Sequence, residues 1–129
     1  MRAGIIAVPA DLMFAARIRA AAERTRTDVF IARNAKIALD RIHESVPVLL
    51  IVDLDARGWD PIALIREVKG REGLGEVQVL SYVSHVREDL ITAAREAGSK
   101  VVARGAFTRD LDHLLAGFAD PAERGKGPA

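Results

Sequence analysis

The sequence predicts an α/β fold built on a parallel sheet with helices on both faces, and two observations carry the prediction. Five short apolar runs alternate with five stretches of helical periodicity, each pair about as long as a strand-helix crossover unit. Val48 to Val52, VLLIV, is in addition too short for a helix that buries itself and is rich in β-branched residues. It reads as a strand covered on both faces, as interior strands of parallel sheets are. Connections between such strands are right-handed. A chain of 129 residues fits one domain, placed at residues 1 to 118, with a disordered polar tail at 119 to 129.

Each element has its own signal. Gly4 to Val8 is a first strand ended by Pro9, and Asp11 can cap a helix that presents Leu12, Ala15, Ile18 and Ala22 on one face. Thr27 to Ala32 is a second strand, followed by a helix over Ala35 to Glu44 with Ile37, Ala38, Leu39 and Ile42 as its stripe. Pro47 opens the central strand. Asp60-Pro61 is a cap followed by a first-turn proline, and Ile62, Ile65 and Val68 recur at helical spacing before the glycines at 70, 73 and 75. Val77 to Val83 is the fourth strand. Ser84 is positioned to cap a helix with Val86, Leu90, Ala93, Ala94 and Ala97 inward, stopped by Gly98. Val101 to Ala103 is a fifth strand, and Thr108 can cap a last helix carrying Leu111, Leu114, Leu115 and Phe118. The tail after it, DPAERGKGPA, is rich in Pro, Gly and charge.

Composition removes several function classes. The chain has no cysteine, so disulfides, thiolate nucleophiles and cysteine metal sites are excluded. A net charge of +1 with both signs interspersed gives no broad footprint for nucleic acid. No apolar run is long enough for a membrane span, and the start reads as a strand, not a signal peptide, so a cytoplasmic protein is expected. His43, His85 and His113 fall on separate elements without a ligand pattern. The three glycines at 70 to 75 follow a helix, not the strand that a nucleotide loop requires.

Asp53 ends the central strand, and open α/β sheets bind their ligands beyond the carboxyl ends of such strands. With its surroundings the stretch resembles a response-regulator receiver domain, over roughly residues 2 to 118. The family's loop has the form D-x-x-x-P-G-x-D-G; here Asp53, Gly58 and Asp60 match, Arg57 stands at the proline and Pro61 at the second glycine. AREAGSKVVARGAF, ending at Phe107, is similar to the family's A-x-x-A-G-A-x-x-Y-x-x-K-P-F. Ala94, Ala97, Gly98 and Phe107 agree; Arg104 falls at the lysine with the segment one residue short, Ala106 replaces the proline, and Val101 takes the place of the aromatic.

The resemblance implies a flavodoxin-like sheet of strand order 2-1-3-4-5 and Asp53 at the phosphoacceptor position. Receivers place two adjacent acids after strand one, because a hard cation needs several oxygen ligands beside the attacking carboxylate. Here Pro9 and Ala10 stand there, with Asp11 one place beyond. No cofactor is expected unless the site is active, in which case Mg2+ would be held by Asp11, Asp53 and Asp55; a flavin or nucleotide binder ranks last, because no phosphate loop follows strand one. Ser81 and Ser84 are the two candidates for the family's switch hydroxyl.

Asp53 is thus either a phosphoacceptor or a relic carboxylate held by Arg104 or by loop amides. Arg104, a planar fork that is always charged, can meet a phosphoryl group or clamp Asp53. Arg57, Trp59, His85 and Val101 are the candidate interaction residues, Trp59 as a binding anchor or as a cover for the pocket. The expected function is a stand-alone signal-transduction domain that binds a protein, a signalling protein or a histidine kinase, without phosphorylation and without enzymatic activity. Homodimerisation through helix four, strand five and helix five is a family expectation. The alternative is an active receiver that phosphorylates itself at Asp53 with Mg2+.

Overall fold

The computed structural model describes residues 4–84 and 87–118. The elements are β1 (Ile5–Val8), α1 (Leu12–Thr25), β2 (Val29–Ile31), α2 (Ala35–Glu44), β3 (Leu49–Asp53), α3 (Pro61–Gly70), β4 (Gln78–Val83), α4 (Glu88–Ala97), β5 (Lys100–Ala103) and α5 (Arg104–Ala116). The strands form one five-stranded sheet in the order β2-β1-β3-β4-β5, every pairing parallel. This is the predicted alternation and the predicted strand order. The expected tail, together with His85 and Val86, lies outside the described residues.

Strand side chains alternate between the two faces, so each strand feeds two cores. Ile6, Val8, Leu50, Val52, Val79 and Val83 pack with Ile42, Ile65, Val68 and Ala94 from α2, α3 and α4. Ile5, Ala7, Leu49, Ile51, Leu80 and Tyr82 pack with Phe14, Ile18, Phe107, Leu111 and Leu115 from α1 and α5. The first and last helices of the chain are therefore neighbours. Arg24 on α1 and Asp112 on α5 tie them together through two hydrogen bonds of 2.8 Å. The β3 residues Leu49 to Asp53 are all buried, as a central strand requires.

Three local readings need correction. Leu12 is 82% exposed, because α1 buries Phe14, Ala15, Ile18, Ala21 and Ala22, and a residue two places before Phe14 points about 200° away from it at 3.6 residues per turn. Ser84 is not the cap of α4, which starts at Glu88 after Arg87, and the Ser84 amide donates to Asp55 Oδ2 at 2.7 Å. Thr108 lies inside α5, which already begins at Arg104, and its hydroxyl donates back to the Arg104 carbonyl at 2.9 Å. The caps at Asp11 and Asp60 are present: Asp11 Oδ1 accepts from the Phe14 amide at 2.7 Å, and Asp60 Oδ1 accepts from Ile62 and Ala63. Among the described residues no helix is long and apolar enough to cross a membrane.

Candidate functional site

Asp53 is the last residue of β3 and is 0% exposed. Both of its oxygens are engaged by backbone amides. Oδ2 accepts from Ala10 in the β1–α1 loop and Oδ1 from Asp55 just beyond the strand, each at 2.9 Å. Burial disfavours the ionised carboxylate and raises its pKa above the ordinary 3.8, more than the two amide hydrogen bonds pull it down.

The strand register sets Tyr82 of β4 beside Asp53. Tyr82 is likewise 0% exposed, and among the described residues its hydroxyl makes no hydrogen bond of good geometry, the Asp53 carboxylate being the group that acts on it. Its ring stacks on Phe14 from α1 and Phe107 from α5, with centroids 4.8 and 4.4 Å away. Burial pushes the phenol pKa far above its usual range, and the nearby Asp53 carboxylate pushes it further.

Arg104 opens α5, and its guanidinium goes to Asp11, not to Asp53. Nη2 donates to Asp11 Oδ2 at 3.1 Å, and the guanidinium carbon sits 4.5 Å from the centre of the Phe14 ring. Asp11 is thus at once the cap of α1 and the partner of Arg104. Its pKa is lowered, chiefly by the Phe14 amide; burial opposes this, and the hydrogen bond and charge of Arg104 add to the lowering.

The C-terminal edge of the sheet therefore gathers Asp11, Asp53, Asp55, Ser84 and Arg104, five of the residues singled out by sequence. Ser81 is not among them. It alternates with Tyr82, is 0% exposed, and its hydroxyl lies 2.6 Å from that of Ser99. Ser84, exposed at the end of β4, is the hydroxyl left at this edge. In the β3–α3 loop Arg57 is exposed and Trp59 half-buried against the core beneath α2, α3 and α4. Gly58 between them has φ +85°, a left-handed conformation that favours glycine. Val101 is half-buried and lines a recess of about 200 Å3 with Ser84, Ile91 and Arg95.

The residues present do not fit Mg2+. A hard cation takes six or more oxygens, most of them from carboxylates or water. Here Asp11 is committed to Phe14 and Arg104, Asp55 to the Ser84 amide, and Asp53 to two amides. Among the described residues no group of three or more acidic or histidine side chains is arranged to share an ion.

Sequence reasoning missed the aromatic layer of Phe14, Tyr82 and Phe107, and it missed Arg17 and Arg109, which line the same edge of the molecule. They are spread over α1, β4 and α5, and no local spacing joins the three elements. The signal that does exist is topological: strand order 2-1-3-4-5 with right-handed crossovers puts the first and last helices on one face.

No family model and no curated protein matches the chain. Solved structures do. The signal receiver domain of a signal transduction histidine kinase from Syntrophus aciditrophicus superimposes with a TM-score of 0.77 at 20% identity, covering 98% of this chain and 95% of that one. A phosphorylated cyanobacterial phytochrome response regulator gives 0.75 at 18% identity over 90% and 91% of the two chains. The Mn2+-bound form of a further response regulator gives 0.72 at 18% identity over 88% of each. The chain has the flavodoxin-like fold of response-regulator receiver domains.

Proposed function

We propose that this chain is a receiver-like signalling domain that works by binding another protein, independently of phosphorylation at Asp53. One observation carries the proposal: the carboxylate at the phosphoacceptor position has no exposed surface, and each of its oxygens accepts a backbone amide that holds it in place. In-line attack on a phosphodonor needs an accessible, ionised oxygen with a cation beside it. Burial raises the Asp53 pKa, and the guanidinium at the lysine position is turned to Asp11. Asp53 is then a structural group that joins the β1–α1 and β3–α3 loops.

The partner is a signalling protein or a histidine kinase, met in the cytoplasm. The contact face is α4, β5 and α5, with Val101 on it and Arg57 and Trp59 at the neighbouring rim. A second copy of the chain is an alternative occupant of that face. Input comes from whatever binds one conformation of this face better than the other, since a ligand shifts a two-state equilibrium only by its differential affinity. Beyond this binding role no enzymatic activity is proposed.

The competing reading is self-phosphorylation at Asp53 with Mg2+, and the phosphorylated and Mn2+-bound structural neighbours are what favour it. It requires the Asp53 pocket to open and Asp11 to leave Arg104. Candidate kinase or signalling-protein binding by wild type and Asp53→Asn separates the two, with and without Mg2+ and a small phosphodonor. Equal affinity in all arms supports the proposal. A phosphodonor effect present in wild type and absent from Asp53→Asn overturns it.

A further inference from the structure

Between the start of α1 and the start of α5 the sheet edge opens into a cleft of about 750 Å3 whose lining includes Arg17, Arg104, Arg109 and Ser84. Among the described residues Asp11 is its one lining carboxylate, and that charge is already matched to Arg104. Arg17 has no acidic partner among the described residues. Arg109 shares its charge with the adjacent Asp110 at 3.3 Å, an exposed pair that solvent weakens. Arg17 is therefore left for a ligand, with Arg109 available where the ligand outcompetes Asp110. At the same wall α5, thirteen residues long, begins without a side-chain cap, and Gly105 in its first turn has open space where a Cβ would stand. Free amides at a helix start favour an anion, and here they reinforce what the guanidiniums establish.

We propose that this cleft binds a small organic phosphate, a monoester dianion, held by Arg17 and Arg109 with Arg104 behind them. Guanidinium forks match phosphate oxygens in pairs, and a monoester dianion answers the net positive lining of the cleft. The cleft is open to solvent, so the guanidiniums, not enclosure, hold the ligand. The site is separate from Asp53, which has no surface in the cleft, so binding does not depend on whether Asp53 accepts a phosphoryl group. It supplies the kind of input that a receiver without phosphoryl chemistry lacks.

The test is titration of the full chain with inorganic phosphate and with a sugar monophosphate at fixed ionic strength, followed by thermal shift and by amide chemical shifts, with chloride as control. The monophosphate is expected to raise the melting temperature beyond chloride. Arg17→Gln combined with Arg109→Gln is expected to weaken binding at least about tenfold, with the far-ultraviolet circular dichroism unchanged because both positions are exposed. Asp11→Asn keeps an N-cap oxygen and removes the competing charge, so it tightens binding several-fold. Asp53→Asn leaves affinity unchanged. The proposal fails if neither phosphate outperforms chloride, if the double variant binds like wild type, if Asp11→Asn weakens binding, or if Asp53→Asn abolishes it.

Discussion

Replacing Asp11 tests whether this carboxylate is a cap and an arginine partner, as the structure has it, or a metal ligand in waiting. Its Oδ1 closes the first turn of α1 on the Phe14 amide, and its Oδ2 holds Arg104. Loss of a good N-cap costs about 1 kcal/mol, within a range of about 0.5–2. The ion pair adds about 0.2–1 kcal/mol, because half of the Asp11 side chain faces water and Arg104 is 30% exposed. Asp11→Ala should therefore lower stability by about 1–2.5 kcal/mol, roughly 3–5 °C per kcal/mol for a domain of this size. Asp11→Asn keeps the cap oxygen and should cost less than about 1 kcal/mol. Urea unfolding followed by the single tryptophan, Trp59, measures both. The pH dependence follows from the lowered Asp11 pKa: the charge contributes stability above the ordinary value of 3.8 and loses it as pH falls through the lower folded-state value. The gap between wild type and Asp11→Ala should accordingly narrow below about pH 4. Asp11→Ala within about 0.3 kcal/mol of wild type, or Asp11→Asn as damaging as Asp11→Ala, would refute the assignment.

Three further predictions concern the buried layer. The carboxyl carbon of Asp53, followed by NMR, should titrate above 3.8, since burial raises its pKa; a midpoint below 3.8 would contradict its enclosure. With the folded pKa raised, Asp53 favours the folded state most below the unfolded value, and that contribution is lost as pH rises through the folded one. Tyr82→Phe removes a buried hydroxyl that makes no hydrogen bond of good geometry among the described residues, so stability should stay level or rise by up to about 1 kcal/mol; a loss larger than that would mean the hydroxyl is bonded, with Asp53 the nearest candidate. Phe107→Ala, which takes away one of the two rings stacked on Tyr82, should cost about 3–5 kcal/mol by thermal or urea unfolding.

The sheet was legible because buried parallel strands declare themselves as short apolar runs, and β3 declared itself most clearly. Helix starts were legible only where a side chain performs the cap. Asp11 and Asp60 do so and were read correctly. Ser84 and Thr108 have the right chemistry, yet the Ser84 amide goes to Asp55 and the Thr108 hydroxyl turns back on its own helix. Among the described residues the starts of α4 and α5 have no side-chain cap to mark them. At the site, sequence placed Asp53, Asp55 and Arg104 at one edge but not the direction of the Arg104 side chain. That direction depends on Phe14 and Asp11, which only the packing of α1 against α5 brings within reach. The stack of Phe14 and Phe107 on Tyr82, the neighbour of Asp53, is likewise a product of three elements meeting, and no spacing along the chain encodes it.

The most direct test of the central claim is the intact mass of the protein after incubation with Mg2+ and a small phosphodonor. A carboxylate with no exposed surface and with both oxygens on amides predicts an unchanged mass. A phosphoryl adduct in wild type that is missing from Asp53→Asn would show that the pocket opens and that the domain is an active receiver.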